Sequence, residues 1–303
     1  MNTRSLGLIL LVVLIWGANF VVISVGVKEV PPFFMGGLRF LFVVFPLVFF
    51  LPKPQIPWRW MILYGLSISF GLFGFLFYAL YIGMPSGQAS LVLQSQVFVT
   101  ALLGMAIYKD KLTLLQVFGG IIALSGIGIL LYGVLETDIS FLGYFFTVAG
   151  ACSWAVGNIC SRAISIRFPN TNMMHLVVWG GLVPVFPFFF TSYLLEDHQQ
   201  VIQAITHPSE VAIFSLAYLV ILSSLFGYST WGYLIAKHGT ANVVPFALLV
   251  PVVGLISGWI ALNETLTLTQ TIGCGVVILG LCTYSFHQKL RMLTRSRKAI
   301  DIS

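Results

Sequence analysis

The sequence predicts an all-α integral membrane protein of ten transmembrane helices, arranged as two inverted five-helix repeats. Three observations carry this expectation: apolar runs long enough to cross hydrocarbon, basic residues gathered on one side of those runs, and a stretch that recurs in both halves.

Of 303 residues, 58% are hydrophobic and 8% charged, against about a quarter charged in an ordinary soluble domain. So few charges cannot cover a water-facing surface. The apolar residues fall in blocks of roughly 17 or more, the length at which a helix crosses a bilayer core. In the first half the blocks run approximately Leu6–Val27, Pro32–Leu51, Met61–Gly83, Gly87–Tyr108 and Leu115–Tyr132. In the second they run Phe141–Ser161, Met173–Leu195, Val211–Ala236, Ala241–Leu262 and Thr271–Phe286. Hydrocarbon offers the backbone no hydrogen-bond partner, so each block is expected to be helical or to line a protein-buried cavity. Pro46, Pro184, Pro187, Pro245 and Pro251 fall inside these blocks and are expected to kink helices rather than end them. The first block continues to Val27 without a small-x-small cleavage site, so it reads as a span and not as a removable signal peptide.

The basic residues orient the spans. Thirteen of the fifteen fall on the side of the N-terminus: Arg4, Lys53, Arg59, Lys109, Lys111, Arg162, Arg167, Lys237 and five in a tail over 289–303. Lys28 alone falls on the other side, and Arg39 lies within the second span. Such a bias places both termini in the cytoplasm, across the inner (plasma) membrane. It also accounts for the net charge of +6, because the tail is a cytoplasmic flank rather than a nucleic-acid-binding face. Cys152, Cys160, Cys274 and Cys282 all lie in apolar segments and read as small buried packing residues, with no disulfide or metal set in view.

Residues 112–126 and 266–280 match at Leu112, Thr113, Leu114, Gln116, Gly119 and Gly126, all at an offset of 154, and Asp110 aligns with Glu264. Repeat 1 is expected over 6–132 and repeat 2 over 141–288. Five crossings are an odd number, so the second repeat must enter the membrane from the opposite side. This arrangement lets two halves expose a shared midplane site to each side in turn.

Several stretches now resemble a known family. They are Ile15-Trp16-Gly17-Ala18-Asn19-Phe20, Gly37-Leu38-Arg39-Phe40, Asp110-Lys111-Leu112-Thr113, Glu264-Thr265-Leu266-Thr267 and Leu249-Val250-Pro251-Val252-Val253-Gly254. Over about residues 6–288 the chain resembles the EamA family of the drug/metabolite transporter superfamily. The stretches Gly87–Gln94 and Ser153–Ile159 are similar to those of O-acetylserine and cysteine exporters within it. The resemblance implies two EamA domains and export of small metabolites. The first half departs from the family's Gly-Glu-x-Leu-Thr signature, reading Lys109-Asp110-Lys111-Leu112-Thr113.

Arg39 is the one Arg, Lys, Asp or Glu that falls inside a span. Counting about 1.5 Å per residue from Pro32 sets it roughly 10 Å below the membrane surface. A buried Arg costs several kcal/mol unless paired or wetted. It is expected either to anchor a substrate carboxylate or to serve as a structural tie, by snorkelling or by bonding to carbonyls. Trp16 with Asn19, Trp154 with Asn158, and Tyr228 with Trp231 each share a helix face, where indole, phenol and amide groups line a wet cavity or pack between helices. In the fourth span Gln94 and Gln96 point about 200° apart, and Gln94, on the face of Ser90, is the expected cavity residue. Gly254 and Gly258 are expected at a close helix contact.

No Asp or Glu falls inside a span, so a carboxylate proton relay is not available and downhill efflux or exchange is expected. No paired acids, metal-ligand set or nucleophile with its base appears, so the sequence points to no enzyme and calls for no cofactor. The expected partners are a small-molecule substrate and the lipid bilayer. A phosphorylated cargo such as a nucleotide sugar would call for clustered basic residues, of which Arg39 is the single example.

Overall fold

The computed structural model describes residues 3–134, 141–238 and 243–300, and every regular element among them is helical. In chain order, α1 (Thr3–Glu29), α2 (Pro32–Phe49), α3 (Trp58–Tyr81), α4 (Ser86–Tyr108), α5 (Leu114–Gly133), α6 (Phe141–Arg167) and α7 (Met174–Leu195) are each long and apolar enough to cross a membrane. A short surface helix, α8 (His198–Thr206), interrupts the series before an eighth long apolar helix, α9 (Glu210–Ile235). Two shorter apolar helices follow: α10 (Phe246–Leu262) and the Leu268–Tyr284 part of α11 (Leu268–Ile300). The start of the expected ninth block, residues 241–242, lies outside the described residues, as do residues 301–303 of the tail.

Helix ends follow local chemistry that recurs between the halves. At the start of α5, Thr113 N donates to Gln116 Oε1 (3.1 Å) and Gln116 N to Thr113 Oγ1 (3.4 Å). Thr267 and Gln270 repeat both bonds at the start of α11, at 3.1 and 3.2 Å. The recurring Leu-Thr-Leu-x-Gln is therefore a capping box, which satisfies backbone donors that the bilayer cannot. Just before it, Lys109 (φ 55°) and Asn263 (φ 52°) take the left-handed conformation and end α4 and α10. The next N–H in each case returns to Gly104 O or Gly258 O. Further back, α3 and α9 contain π-helical stretches, Gly65–Gly71 and Tyr218–Phe226. Moved by the same 154 residues, the first falls within the second.

Proline behaves less uniformly than expected. Pro46 ends the α-helical part of α2 at Val44, because a residue before proline disfavours the helical conformation and Phe45 is extended (ψ 124°). A 3-10 turn, Leu47–Phe49, completes the segment. Pro184 and Pro187 stay inside α7, Pro251 stays inside α10, and Pro245 sits in the 3-10 turn Val244–Leu248 that opens it. Two cysteines also differ from expectation: Cys160 and Cys274 are buried, whereas Cys152 and Cys282 are exposed. On the outside of an apolar helix a thiol is as compatible with lipid as with a packed interior.

Packing across the halves is close. Along α5 and α11, a Cβ added at Gly126 would lie 2.6 Å from Val277 N, and one at Gly280 would lie 2.4 Å from Ala123 N. These glycines let the two backbones touch, the usual means of helix association in lipid. Replacing Gly280 by valine is therefore expected to force the pair apart and to destabilise by about 1–3 kcal/mol, as overpacking does. Gly128→Ala, where nothing lies within 4 Å, is expected to leave thermal stability unchanged or raised. Differential scanning fluorimetry of the detergent-solubilised protein reads both. Gly254 meets Ser90 and Gly258 meets Ser86, both of α4, the helix contact expected for the pair, and Gly258 also makes room for the Glu264 carboxylate.

The bundle's flanks expose large apolar side chains, among them Leu14, Phe118, Phe145, Phe186, Ile260 and Leu279. Such a surface is stable against hydrocarbon and not against water. At the face opposite the N-terminus, two carboxylates close helix ends. Glu196 accepts from Phe33 N (2.6 Å) and Phe34 N (3.0 Å), and Glu264 from Ser86 N (2.7 Å) and Gly87 N (3.0 Å). Burial raises the Glu196 carboxyl above the usual carboxylate range, opposed in part by bonds from Ser192, Phe33 and Phe34. At the N-terminal face Trp179 Nε1 donates to Leu51 O (2.9 Å), so α2 and α7 are pinned at both ends. Arg162 and Asp110 pair there at 2.5 Å with both side chains near half-exposed, a geometry that contributes about 0–1 kcal/mol.

Candidate functional site

Arg39 lies where α2, α3 and α9 meet, and it is only 1% exposed. It does not snorkel to the surface. Its guanidinium sits over the Phe73 ring, with Cζ 4.0 Å from the centroid, and within 6 Å of Phe40 and Phe77. Nε and Nη2 donate to Ser224 Oγ at 3.4 and 3.2 Å. Ser224 Oγ donates in turn to Leu219 O (2.8 Å), five residues back, a contact made inside the π-helical stretch of α9. Nη1 has no hydrogen-bond partner among the described residues. The cation is thus held by aromatic faces and one neutral hydroxyl. Cation–π contact is worth about 2 kcal/mol when desolvated, which does not offset the several kcal/mol of burying a charge in the membrane. What the geometry leaves unmet is the Nη1 donor.

An aromatic wall stands beside it. Trp16 packs on Tyr228 (5.5 Å between centroids) and on Trp231 (5.1 Å), so the structure joins two of the pairs read from the sequence. Trp16 Nε1 donates to Ser223 O (3.0 Å), and Tyr218 OH donates to Ile15 O (2.7 Å), tying α1 to α9. Tyr228 lies within electrostatic reach of both Arg39 and Tyr64, two buried side chains, yet 43% of its surface is open. On α1, Asn19 is buried and its Oδ1 has no partner among the described residues.

The remaining expected residues form a second group or stand alone. Asn158 Nδ2 donates to Gln96 Oε1 (2.8 Å) and to Thr100 Oγ1 (3.3 Å), linking α6 to α4. Trp154, half-buried, packs against the main apolar core. Gln94 is 9% exposed and lies in a 3-10 turn, Leu93–Ser95, that separates it from Gln96. Among the described residues, no hydrogen bond or ring contact joins this group to Arg39. Sequence reading passed over Gln96 and Ser224. A pair of serines, Ser223–Ser224, inside an apolar run was the available signal for the second.

The two π-helical stretches treat their freed carbonyls alike. A π turn breaks the regular ladder and leaves carbonyls for other donors, often at functional positions. Ser67 O accepts from Ser153 Oγ of α6 (2.9 Å), and Ser223 O accepts from Trp16 Nε1 of α1. Each bond crosses from one half to the other.

The profile of the EamA-like transporter family matches residues 3–132 and again 141–286. A probable amino-acid metabolite efflux pump of Salmonella typhimurium is 43% identical, over 97% of this chain and 99% of the relative. One of the same description from Escherichia coli is 42% identical, over 100% of this chain and 99% of the relative. A solved crystal structure superposes with a TM-score of 0.63 over 93% of this chain and 96% of the other; at 19% identity it shows the shared fold alone. With eight long apolar helices among the described residues and a family profile matched twice along its length, the chain is a multi-pass membrane protein of the EamA-like transporter family.

Proposed function

We propose that this protein exports amino-acid metabolites, with the cargo carboxylate held by Arg39 in a cavity walled by Trp16, Tyr228 and Trp231. The observation that carries the reading is the unpartnered Nη1 of a fully buried Arg39. An amino acid supplies what both orphaned atoms lack: a carboxylate for the Arg39 donor and an ammonium for the Asn19 acceptor. Asn158, Trp154 and Gln94 would line the path of the cargo on the side of α4 and α6. The relatives' description favours the same cargo class, and within it O-acetylserine and cysteine are the proposed cargoes.

Transport proceeds by alternating access between two inverted repeats, 6–132 and 141–288. The 154-residue correspondence of capping boxes, left-handed caps and π-helical stretches supports this, as does the odd number of crossings per half. Both termini are cytoplasmic in the inner membrane, on the evidence of the basic residues, and 289–303 forms a basic cytoplasmic tail.

Overexpression in cells loaded with L-cysteine tests the reading. Cysteine is expected to accumulate in the medium faster than in vector controls, and cells are expected to tolerate more of it. Equal accumulation would remove cysteine from the cargo class. Because no span carries a carboxylate, export is driven by the cargo gradient or by exchange. A pH gradient imposed on proteoliposomes with no cargo gradient is expected to move no L-cysteine, and sustained accumulation would contradict this.

A further inference from the structure

The bonding around Arg39 poses a problem that the cargo alone does not solve. An exporter must also return empty, and in the closed, water-free intermediate an empty site would leave the Arg39 cation buried with nothing to accept from it. That cost would fall on every cycle of net transport. Ser224 is built to meet it. Its hydroxyl proton is committed to Leu219 O (2.8 Å), so toward Arg39 it presents lone pairs only, as a carboxylate oxygen does. It takes the Nε and Nη2 donors together, the side-on fork that a carboxylate also accepts. Both bonds are long, 3.4 and 3.2 Å, so the hydroxyl holds the cation more weakly than a charged carboxylate would. Nη1 keeps a donor that no described group meets, which the cargo carboxylate would satisfy.

The geometry points to Ser224 as a positioning residue that stands in for the cargo carboxylate at Arg39 whenever the carrier is empty, so that the unloaded site can close. This rests on the carboxylate-anchor reading of Arg39. When cargo binds, its carboxylate takes the Nη1–Nη2 edge through the Nη2 proton that Ser224 does not hold, and its charge takes over from the hydroxyl as the main counterweight to Arg39, while Ser224 keeps its bond to Leu219 O. When cargo leaves, Ser224 is the one hydrogen-bond acceptor left to Arg39 among the described residues. In the open states water can serve Arg39, so Ser224 matters most in the closed, empty intermediate. It follows that Ser224 supports net efflux, which includes an empty return, far more than one-for-one exchange, which never passes through that intermediate.

The test compares the two modes in proteoliposomes of the full chain with reduced L-[35S]cysteine as probe. Net efflux into cargo-free buffer is measured beside exchange against unlabelled L-cysteine. Ser224→Ala is expected to slow net efflux about tenfold relative to exchange, the scale of a hydrogen bond to a charged group, with no rise in the exchange KM. Ser224→Thr, which restores a hydroxyl, is expected to restore the ratio. Should Ser224→Ala fold poorly, Ser224→Cys keeps the volume, weakens the acceptor and carries the same expectation. A general structural defect would slow both modes together and leave their ratio unchanged, and that result would overturn the proposal, as would a raised exchange KM. Arg39→Ala separates the two readings. If it transports like wild type, the anchor itself fails; if it is inactive while Ser224→Ala keeps the wild-type ratio, only the role of Ser224 fails.

Discussion

Arg39→Ala is expected to abolish export of carboxylate-bearing cargo while leaving the helices assembled. The guanidinium is the single charged group buried among the described membrane-spanning segments, and its Nη1 is unpartnered. Removing one member of a buried charge pair costs about 2–5 kcal/mol, which is about 30-fold or more in affinity. The fold is expected to survive because truncation orphans nothing: Ser224 keeps its bond to Leu219 O, and the Phe73 ring loses only its cation. Arg39→Lys keeps the charge and loses the planar fork. It is expected to fold equally well and to transport poorly. Size-exclusion profiles of the purified variants check assembly, and L-cysteine exchange in proteoliposomes checks transport.

The second large effect is on stability. Glu264→Ala is expected to lower the thermal midpoint more than any other single truncation at the face opposite the N-terminus. Its two carboxylate oxygens accept from Ser86 N and Gly87 N, the first backbone donors of α4, which have no partner within their own helix. The seat is built to measure, since a Cβ at Gly258 would lie 2.3 Å from Glu264 Oε2. Leaving buried donors unmet costs about 1–3 kcal/mol each. A cavity of about 330 Å³ opens beside Glu264, between Leu255, Trp259 and Thr271, and water from it replaces part of that loss. A net destabilisation of about 2 kcal/mol is therefore expected. Glu264→Gln keeps one acceptor oxygen and is expected to fall between the two. Gly258→Ala should reproduce much of the loss without touching the carboxylate, by pushing it from its seat. Scanning fluorimetry of the three variants against wild type ranks them.

Glu264 also marks where sequence reading stops. Its alignment with Asp110, and the Thr and Gln that follow each, are visible because helix caps are local and depend on residues a few positions apart. The spans are visible for a similar reason: an apolar run of sufficient length has one stable fate in a bilayer. Partners across the fold are not local. That Glu196 closes the start of α2, 163 residues away, follows from how α2 packs on α7 and from nothing in either stretch. Gln96 has a comparable history. Its helical angle sets it apart from Gln94, but its function as partner to Asn158 depends on α6 lying against α4.

Arg39 was legible as a lone charge in an apolar run, and Trp16, Tyr228 and Trp231 as aromatic faces. That they converge around one open-faced tyrosine was not, because the π-helical stretch of α9 rotates its residues away from the positions a regular helix would give them. Ser224 owes its place beside Arg39 to that same irregularity. In the first half the corresponding stretch of α3 receives Ser153 and no charge, so two similar scaffolds carry one charged site between them.

The most direct measurement is a comparison of two probes that differ by a single group. L-cysteine and cysteamine, which lacks the carboxylate, are offered as competing substrates to wild type and to Arg39→Ala in proteoliposomes. Wild type is expected to carry L-cysteine in strong preference to cysteamine, and the variant is expected to lose that preference by losing L-cysteine. An equal preference for L-cysteine in both proteins would contradict the assignment of Arg39 as the carboxylate's anchor.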